Sequence, residues 1–269
     1  MKSRFLLWLV PAVFLLPALV IAMTPPEEPK GQEPQKRTLR FISDLTSPPF
    51  AFVDNFKNVG FEIDLGEALG KEMVAEVKWI KQIFNIPTFA STLRTGGADA
   101  VLSSMTVTKD RKQYFDFTIP YFRTSLAVAA PRDVDWDRVA FRNGLSSKIK
   151  VGVMRRTTGE SWARKNLKAT RKTYASPERL ARALKNREVA IILIDEPILR
   201  WTMANRHYKF KIVESGLDHQ DYAIAVNKGN QELLAELNVA LKKLDTDGVY
   251  DSIYEKWYAV SQDLPQIGK

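Results

Sequence analysis

The feature of this sequence that most restricts its fold is a repeated alternation of strand-like and helix-like segments. Thr38–Ser43 alternates apolar and polar residues, as a half-buried strand does, and Phe61–Met73 places an apolar residue at every fourth position, as one face of a helix does. A short strand, Val77–Ile80, and a helix over Thr88–Arg94 that ends at Gly96-Gly97 follow. This alternation predicts an α/β fold with a largely parallel sheet.

A second α/β unit is predicted in the middle of the chain. Its strands and helices are expected at Lys150–Met154, Thr157–Leu167, Pro177–Lys185, Val189–Ile194 and Pro197–Asn205. Leu126–Pro131 and Tyr222–Asn227 bracket this unit and are predicted to cross between two lobes that close on a ligand. Helices over Gln231–Leu244 and Val249–Tyr258 complete the chain. We therefore expect one lobe over 38–127 with 226–262 and an inserted lobe over 128–225.

The composition excludes several classes of function. The 269-residue chain has a formal net charge of +9, but acidic residues are interleaved with basic ones almost throughout, so we expect no nucleic-acid interface. There is no cysteine, and therefore neither a disulfide nor a thiol nucleophile. His207 and His219 lack the spacing of metal ligands, and the sequence has no phosphate-binding glycine loop. We predict neither a metal site nor a cofactor.

The N-terminus has the pattern of a secretory signal peptide. Lys2 and Arg4 precede an apolar run, Phe5–Ala22, that ends in a small residue. We predict cleavage after Ala22, which makes residues 1–22 the signal, and a proline-rich, disordered leader over residues 23–37. An uncleaved anchor is the alternative, although the apolar run is short for a spanning helix. Export without a lipid-attachment cysteine indicates a soluble periplasmic protein.

An anion-binding site is predicted in the stretch Asp99–Phe122. The apolar run Asp99–Leu102 indicates a buried strand. The hydroxyls of Ser103, Ser104 and Thr106 follow at its carboxyl end, which is where open α/β sheets bind ligands.

Arg111 lies just beyond those hydroxyls. Thr108 is predicted to cap a helix whose first turn contains Asp110 and Arg111. A cation is unfavourable at this positive end of the helix dipole unless it faces an anion, which makes Arg111 a candidate ligand-binding residue. The alternative is a surface ion pair between Arg111 and either Asp110 or Asp116.

The middle unit offers two further candidate sites. Thr157 and Glu160 have the spacing of a capping box, which predicts a helix start whose N–H groups face the cleft. A simple helix cap is the alternative. Asp195 ends the strand Val189–Ile194, where it can receive an ammonium group or cap the helix that begins at Pro197.

Short motifs follow one another along residues 38–258 in a specific order. They are Ser43-Asp44 with Pro49-Phe50, Gly60–Leu65, Leu93–Asp99, Thr106–Arg111, Phe117–Tyr121, Val151–Val153, Asp195–Pro197 and Asp247–Trp257. In this order they resemble the bacterial extracellular solute-binding proteins of family 3, which bind polar amino acids for ABC importers. The resemblance implies the periplasmic binding protein-like type II fold, with two α/β lobes joined by two hinge crossings around a ligand cleft.

The resemblance also implies roles for individual residues. Arg111 corresponds to the arginine that binds the ligand α-carboxylate in a bidentate manner. Thr106 and the backbone of Ser104 complete the carboxylate and ammonium contacts, and Thr158 closes over the carboxylate from the second lobe. Asp195 pairs with the α-ammonium. The remaining implied residue, Asp44, lies near the pocket for the ligand side chain.

The chain departs from the family pattern around that side-chain pocket. Ser47 occupies a common aromatic position, and Ile86 occupies another, with Phe84 and Phe89 as its neighbours. We expect Phe50 or Phe52 to supply the missing apolar contacts. Arg155-Arg156 replaces small residues, and we hypothesise that one of the two meets an acidic ligand side chain. The alternative is that both point to solvent.

The favoured function is therefore non-enzymatic capture of a small zwitterion for an inner-membrane ABC permease by a monomeric protein. One alternative is a cyclohexadienyl dehydratase-like enzyme on the same scaffold, for which Glu196 or another carboxylate of the cleft is a candidate proton donor. A further alternative is a ligand sensor without a transport role.

Overall fold

The computed structural model describes residues 37–206 and 208–258. The predicted signal peptide, the leader up to residue 36, His207 and residues 259–262 of the predicted first lobe lie outside the described residues. The strands are β1 (Arg37–Ser43), β2 (Thr46–Ser47), β3 (Ala51–Asp54), β4 (Lys57–Val59), β5 (Ala75–Lys81), β6 (Ala100–Val101), β7 (Phe115–Phe117), β8 (Phe122–Pro131), β9 (Lys150–Met154), β10 (Thr170–Tyr174), β11 (Ile191–Asp195), β12 (Phe210–Tyr222) and β13 (Ala225–Asn227). The helices are α1 (Phe61–Glu72), α2 (Ile86–Arg94), α3 (Arg138–Arg142), α4 (Thr158–Asn166), α5 (Pro177–Lys185), α6 (Glu196–Arg206), α7 (Gln231–Thr246) and α8 (Val249–Tyr258).

The strands form two five-stranded sheets, each the centre of one α/β lobe. The first has the order β5-β1-β6-β13-β7, and the second has the order β10-β9-β11-β8-β12. In each sheet three strands run parallel and the two strands at one side run antiparallel to their neighbours. A small antiparallel sheet of β2, β3 and β4 belongs to the N-terminal part of the fold. The predicted two-lobed α/β architecture is confirmed.

Two neighbouring crossings connect the lobes. The chain leaves the first sheet after β7 and enters the second at β8, and it returns from β12 to β13. Phe122 at the start of β8 is the register partner of Tyr222 at the end of β12, so the two crossings lie side by side. The predicted lobe boundary at 127/128 falls inside β8, and the exact boundaries stay a prediction.

The start of α1 depends on a close backbone approach at Gly60. Its φ is 135°, and a Cβ at this position would lie 2.1 Å from the carbonyl oxygen of Phe50, so only glycine fits. The same carbonyl accepts a hydrogen bond from the Glu62 N–H at 2.8 Å. This contact fixes the first turn of α1 and, with it, the Glu62 side chain.

Three local predictions differ from the structure. The helix expected after Thr108 is only a 3₁₀ turn, Arg111–Gln113, because the chain moves directly into β7. The sequence predicts no strand over residues 210–221, where the structure has most of β12, because the exposed polar residues of this segment hide the strand pattern. The predicted Tyr222–Asn227 strand is two strands with Ala223 and Ile224 between them. None of the described helices is both long and apolar enough to cross a membrane.

Candidate functional site

A cavity of about 450 Å³ lies between the two lobes. Eight of the ten predicted binding and side-chain-pocket residues line it, namely Asp44, Ser47, Ser104, Thr106, Arg111, Arg155, Thr158 and Asp195. Residues from the ends of β1, β6, β9 and β11 thus meet around one space, as the carboxyl ends of parallel strands do. The contacts that each residue makes with a ligand stay a prediction.

Arg111 is a buried cation of this cavity, with only 7% of its surface exposed. Its Nη1 donates to the carbonyl oxygen of Thr106 at 2.8 Å, and its Cζ lies 5.4 Å from the centroid of the Phe84 ring. Burial lowers the pKa of Arg111 to about 10, and Asp195 opposes this shift. Arg111 therefore remains charged at neutral pH, held by a carbonyl and an aromatic face.

The alternative of a surface ion pair for Arg111 is wrong. The guanidinium is buried, and Asp116 pairs instead with Lys228 at 2.6 Å. Thr108 does cap the short turn, because its hydroxyl accepts a hydrogen bond from the Arg111 N–H at 3.1 Å. Burial beside the cavity, more than the helix dipole, thus makes Arg111 a candidate anion-binding residue.

Asp195 is a buried carboxyl group of the same cavity, at 8% exposure. Its Oδ1 is buried without a hydrogen-bond partner among the described residues. Burial raises the pKa of Asp195, while the nearby Tyr222 hydroxyl and the Arg111 cation oppose that shift. A buried carboxylate oxygen that no protein donor satisfies suits a ligand that brings its own N–H groups.

A buried carboxylate, Glu62, holds Ser104 in the cavity wall. Its Oε1 accepts hydrogen bonds from the Ser104 N–H at 2.6 Å, from the Ser104 hydroxyl at 3.1 Å and from the Tyr121 hydroxyl at 2.5 Å. Ser104 has a φ of 46°, in the left-handed region that few residues other than glycine adopt. Burial raises the pKa of Glu62 to about 7, opposed by these hydrogen bonds.

Gln220 joins the two predicted threonines. Its Oε1 accepts a hydrogen bond from the Thr106 hydroxyl and another from the Thr158 hydroxyl, each at 2.9 Å. Thr106 follows β6 of the first sheet, and Thr158 begins α4 of the second lobe. Gln220 itself lies on β12 and is 4% exposed.

Asp44 lies where β1 ends. Its Oδ1 accepts a hydrogen bond from the Thr46 N–H at 3.0 Å, and its own N–H donates to the Ser103 hydroxyl at 3.2 Å. Burial raises the pKa of Asp44 to about 6, while the Thr46 hydrogen bonds and the Lys81 cation oppose the shift. Asp44 therefore places a second carboxylate on the cavity, on the side predicted to hold the ligand side chain.

The second-lobe wall begins at the start of α4. Thr157 caps the helix by accepting from the Glu160 N–H at 3.3 Å, and Glu160 accepts from the Arg156 N–H at 2.6 Å, one residue before the cap. This pattern confirms the predicted helix start. Arg155 and Arg156 both line the cavity, yet both are exposed, as are Lys81 and Arg179 at the same opening.

The aromatic prediction for the side-chain pocket is wrong for both candidates. Phe50 is fully buried in an aromatic cluster, with its ring centroid 4.9 Å from Phe122 and 5.3 Å from Tyr222. Phe52 contacts Trp201 and lines a separate cavity of about 730 Å³. Phe84 supplies the aromatic surface instead, since it lines the binding cavity.

Glu62 and Gln220, which hold lining residues in place from behind the cavity wall, are absent from the sequence prediction. Glu62 falls inside the Gly60–Leu65 motif, where an acidic residue in the first turn of a helix is ordinary. Gln220 carries no sequence signal, because its partners lie 114 and 62 residues away. His219 is exposed, and no group of three or more metal-ligating side chains occurs within 37–206 and 208–258.

Comparison with known proteins identifies the family. The chain is 31% identical over 229 residues to the putative ABC transporter arginine-binding protein 2 of Escherichia coli, covering 82% of this chain and 90% of that protein. It is 30% identical over 224 residues to the arginine-binding periplasmic protein of Mannheimia haemolytica, covering 80% and 89%. An ancestral arginine-binding protein solved with arginine has 34% identity and a TM-score of 0.74, covering 82% of this chain and 98% of that one.

The family profile itself matches most of the folded sequence. The bacterial extracellular solute-binding proteins, family 3, match residues 39–260. The predicted resemblance is confirmed, and this chain belongs to family 3 of the bacterial extracellular solute-binding proteins.

Proposed function

We propose that this protein captures an amino acid in the cavity between its lobes and delivers it to the permease of an ABC importer. The observation that carries the proposal is the pair of buried, oppositely charged groups on one cavity, Arg111 and Asp195. An α-amino acid is a zwitterion, so it brings the counter-charge that each buried group needs. Relatives named as amino acid-binding proteins support the same function.

In this proposal the α-carboxylate accepts hydrogen bonds from the Arg111 guanidinium. Guanidinium and carboxylate match as planar, bidentate partners. The α-ammonium donates to Asp195, whose Oδ1 is otherwise unsatisfied among the described residues. Thr106 and Thr158 contribute hydroxyl oxygens from the two lobes, so the ligand is held from both sides.

The side chain of the ligand is proposed to extend towards Asp44. Although burial raises the pKa of Asp44 to about 6, this value is still below 7, so Asp44 is ionised at neutral pH. A cationic or polar ligand side chain would provide the hydrogen-bond donors that this carboxylate needs. Two relatives are named for arginine binding, and an ancestral arginine-binding protein was solved with glutamine as well as arginine. The competing proposal, an acidic side chain bound by Arg155 or Arg156, rests on residues that are exposed.

A thermal-shift screen over the common amino acids tests the proposed function. A ligand at 100 times its Kd stabilises the folded state by about 2.7 kcal/mol, so a true ligand raises Tm by several degrees. We expect arginine, glutamine or a related amino acid to give this shift. Failure of every amino acid to stabilise the protein would remove the proposal.

Periplasmic location follows from the family, since its members serve ABC importers as extracellular binding proteins. Cleavage after Ala22, a monomeric state and the identity of the permease are parts of the proposal. N-terminal sequencing of the exported protein tests the cleavage, and light scattering of the purified protein tests the monomer.

The enzymatic alternative gains no support from Glu196, although the cleft carboxylates Asp44 and Asp195 do line the cavity. Glu196, its candidate proton donor, accepts hydrogen bonds from Ser125 at 3.0 Å and from Arg200 at 2.6 Å, and it does not line the cavity. One similar structure is an ancestral amino acid-binding protein described as a precursor of cyclohexadienyl dehydratase. Incubation with prephenate distinguishes the two functions, because only the enzyme consumes it.

A further inference from the structure

One side-chain oxygen connects the two lobes beside the cavity. Gln220 Oε1 accepts the Thr106 hydroxyl from the first lobe and the Thr158 hydroxyl from the second, at 2.9 Å each. An amide oxygen has two lone pairs, so these two donors fill its capacity. Two members of the bridge are shielded, since Gln220 is 4% exposed and Thr106 is 5% exposed, while Thr158 is half-buried.

The orientation of the Gln220 amide is determined by a third contact. Its Nε2 donates to Asp218 Oδ2 at 3.1 Å, and a carboxylate can only accept, so the amide oxygen must face the two hydroxyls. The hydrogen atoms of both hydroxyls therefore point at Gln220.

We propose that Gln220 is a positioning residue that couples the two lobes and favours the closed cleft before a ligand binds. Thr106 and Thr158 belong to different lobes but bond to the same atom, so an opening that moves the two threonines apart breaks at least one of these hydrogen bonds. Gln220 lies on β12, opposite Thr124 of β8, in the strand pair that connects the lobes. Closure of the cleft thus involves the same two hydroxyls that the proposed amino acid site uses. The inference therefore rests on that proposed function.

The test measures lobe closure without any ligand. The chain has no cysteine, so Glu76→Cys on β5 and Arg171→Cys on β10, both exposed, allow specific labelling of the two lobes. Single-molecule energy transfer then reports the open and closed populations. We expect Gln220→Met to shift the ligand-free equilibrium towards the open form by about 2- to 10-fold, the equivalent of one or two net hydrogen bonds.

The matched control is Gln82→Met. Gln82 also bonds to a threonine, with its Nε2 3.0 Å from the Thr92 hydroxyl, but both residues lie in the first lobe. This variant should leave the populations of the open and closed forms unchanged. Equal shifts in the two variants would mean that loss of any Gln–Thr pair loosens the protein, which overturns the proposal.

Thr158→Val removes only the second-lobe bond and provides an independent measurement. It should open the ligand-free cleft, and the double variant with Gln220→Met should open it no further than Gln220→Met alone, because both act through one bridge. Unchanged populations in both single variants, or fully additive shifts, would refute the coupling. If Gln220→Met fails to fold by circular dichroism, Thr158→Val decides. Since no ligand is added, the outcome is separate from that of the amino acid screen.

Discussion

On the first-lobe wall of the cavity, internal hydrogen bonds hold Ser104 and Arg111 in place, whereas the second-lobe wall combines one buried carboxyl group, Asp195, with arginines that reach into solvent. Glu62 fixes Ser104, and Arg111 is anchored to the Thr106 carbonyl. Across the cleft, Arg155 and Arg156 are exposed. The difference indicates that the first wall is organised before a ligand arrives, while the second is free to change with the ligand's side chain.

Arg111→Ala gives the largest expected effect and tests whether the organised wall carries binding. Loss of a buried charged partner costs about 2–5 kcal/mol of binding, so we expect affinity to fall at least about 30-fold and the ligand-induced Tm shift to vanish. Isothermal titration of the ligand found by the screen measures this. Arg182→Ala, at an exposed ion pair on α5, is the control. An unchanged Tm shift in Arg111→Ala would contradict the carboxylate assignment.

Asp195→Asn should weaken binding next most strongly, by about 10- to 100-fold, because the α-ammonium loses a charged acceptor of the same shape. Titration at neutral pH measures the change in Kd. Asp251→Asn, an exposed position on α8, should bind as the unaltered protein does. Equal affinity in Asp195→Asn would assign the ammonium contact to another residue.

Glu62→Gln tests the organisation of the first wall through the pH dependence of stability. Folding raises the pKa of Glu62 from 4.5 to about 7, so between these values the folded protein binds more protons than the unfolded chain. Stability from this group is therefore present at low pH and is lost as the pH rises to about 7. The free energy of unfolding should fall by about 3 kcal/mol over this pH range, and Glu62→Gln should abolish this pH dependence.

Urea unfolding at pH 5 and pH 8 measures this difference. The unaltered protein should lose about 2–3 kcal/mol more stability than Glu62→Gln between these two values. Asp133→Asn is the control, since the pKa of Asp133 is lowered from 3.8 and its contribution lies below this pH range. The same pH dependence in Glu62→Gln and the unaltered protein would show that Glu62 does not titrate there.

Arg155→Ala and Arg156→Ala have the smallest expected effect. Exposed charges contribute about 0–1 kcal/mol, so the affinity for a cationic or neutral amino acid should change less than about threefold. Titrations with arginine, glutamine and glutamate measure this. A glutamate affinity that falls more than about tenfold in either variant would instead support an acidic ligand and a second wall that binds as strongly as the first.

The sequence predicted the architecture well because each element carries its own local pattern. The apolar spacing of Phe61–Met73 and the capping residues Thr157 and Glu160 depend only on near neighbours, and the structure has helices at both places. The prediction for Arg111 rests on the unfavourable position of a cation at a helix start, and Arg111 lines the cavity although that helix is only a 3₁₀ turn.

The rest of the site depends on contacts between distant segments. Glu62 lies 42 residues from Ser104, and Gln220 lies 114 residues from Thr106, so no local pattern links these partners. The dependence on contacts between distant segments also explains why the prediction for Phe50 is wrong. An apolar residue beside a predicted site is compatible with either the cavity or the core, and only tertiary packing places it among Phe122 and Tyr222.

Because the crossings at Phe122 and Tyr222 are adjacent, the second lobe can be exchanged as one continuous segment. Because these two residues are register partners, residues 122–222 enter and leave the first lobe at neighbouring points. Replacement of this segment by its counterpart from a relative would preserve both junctions and the anchored Arg111 wall. Exchange of a single continuous segment thus replaces the second-lobe wall of the cavity as one piece, while Asp44 and Arg111 of the first lobe stay in place.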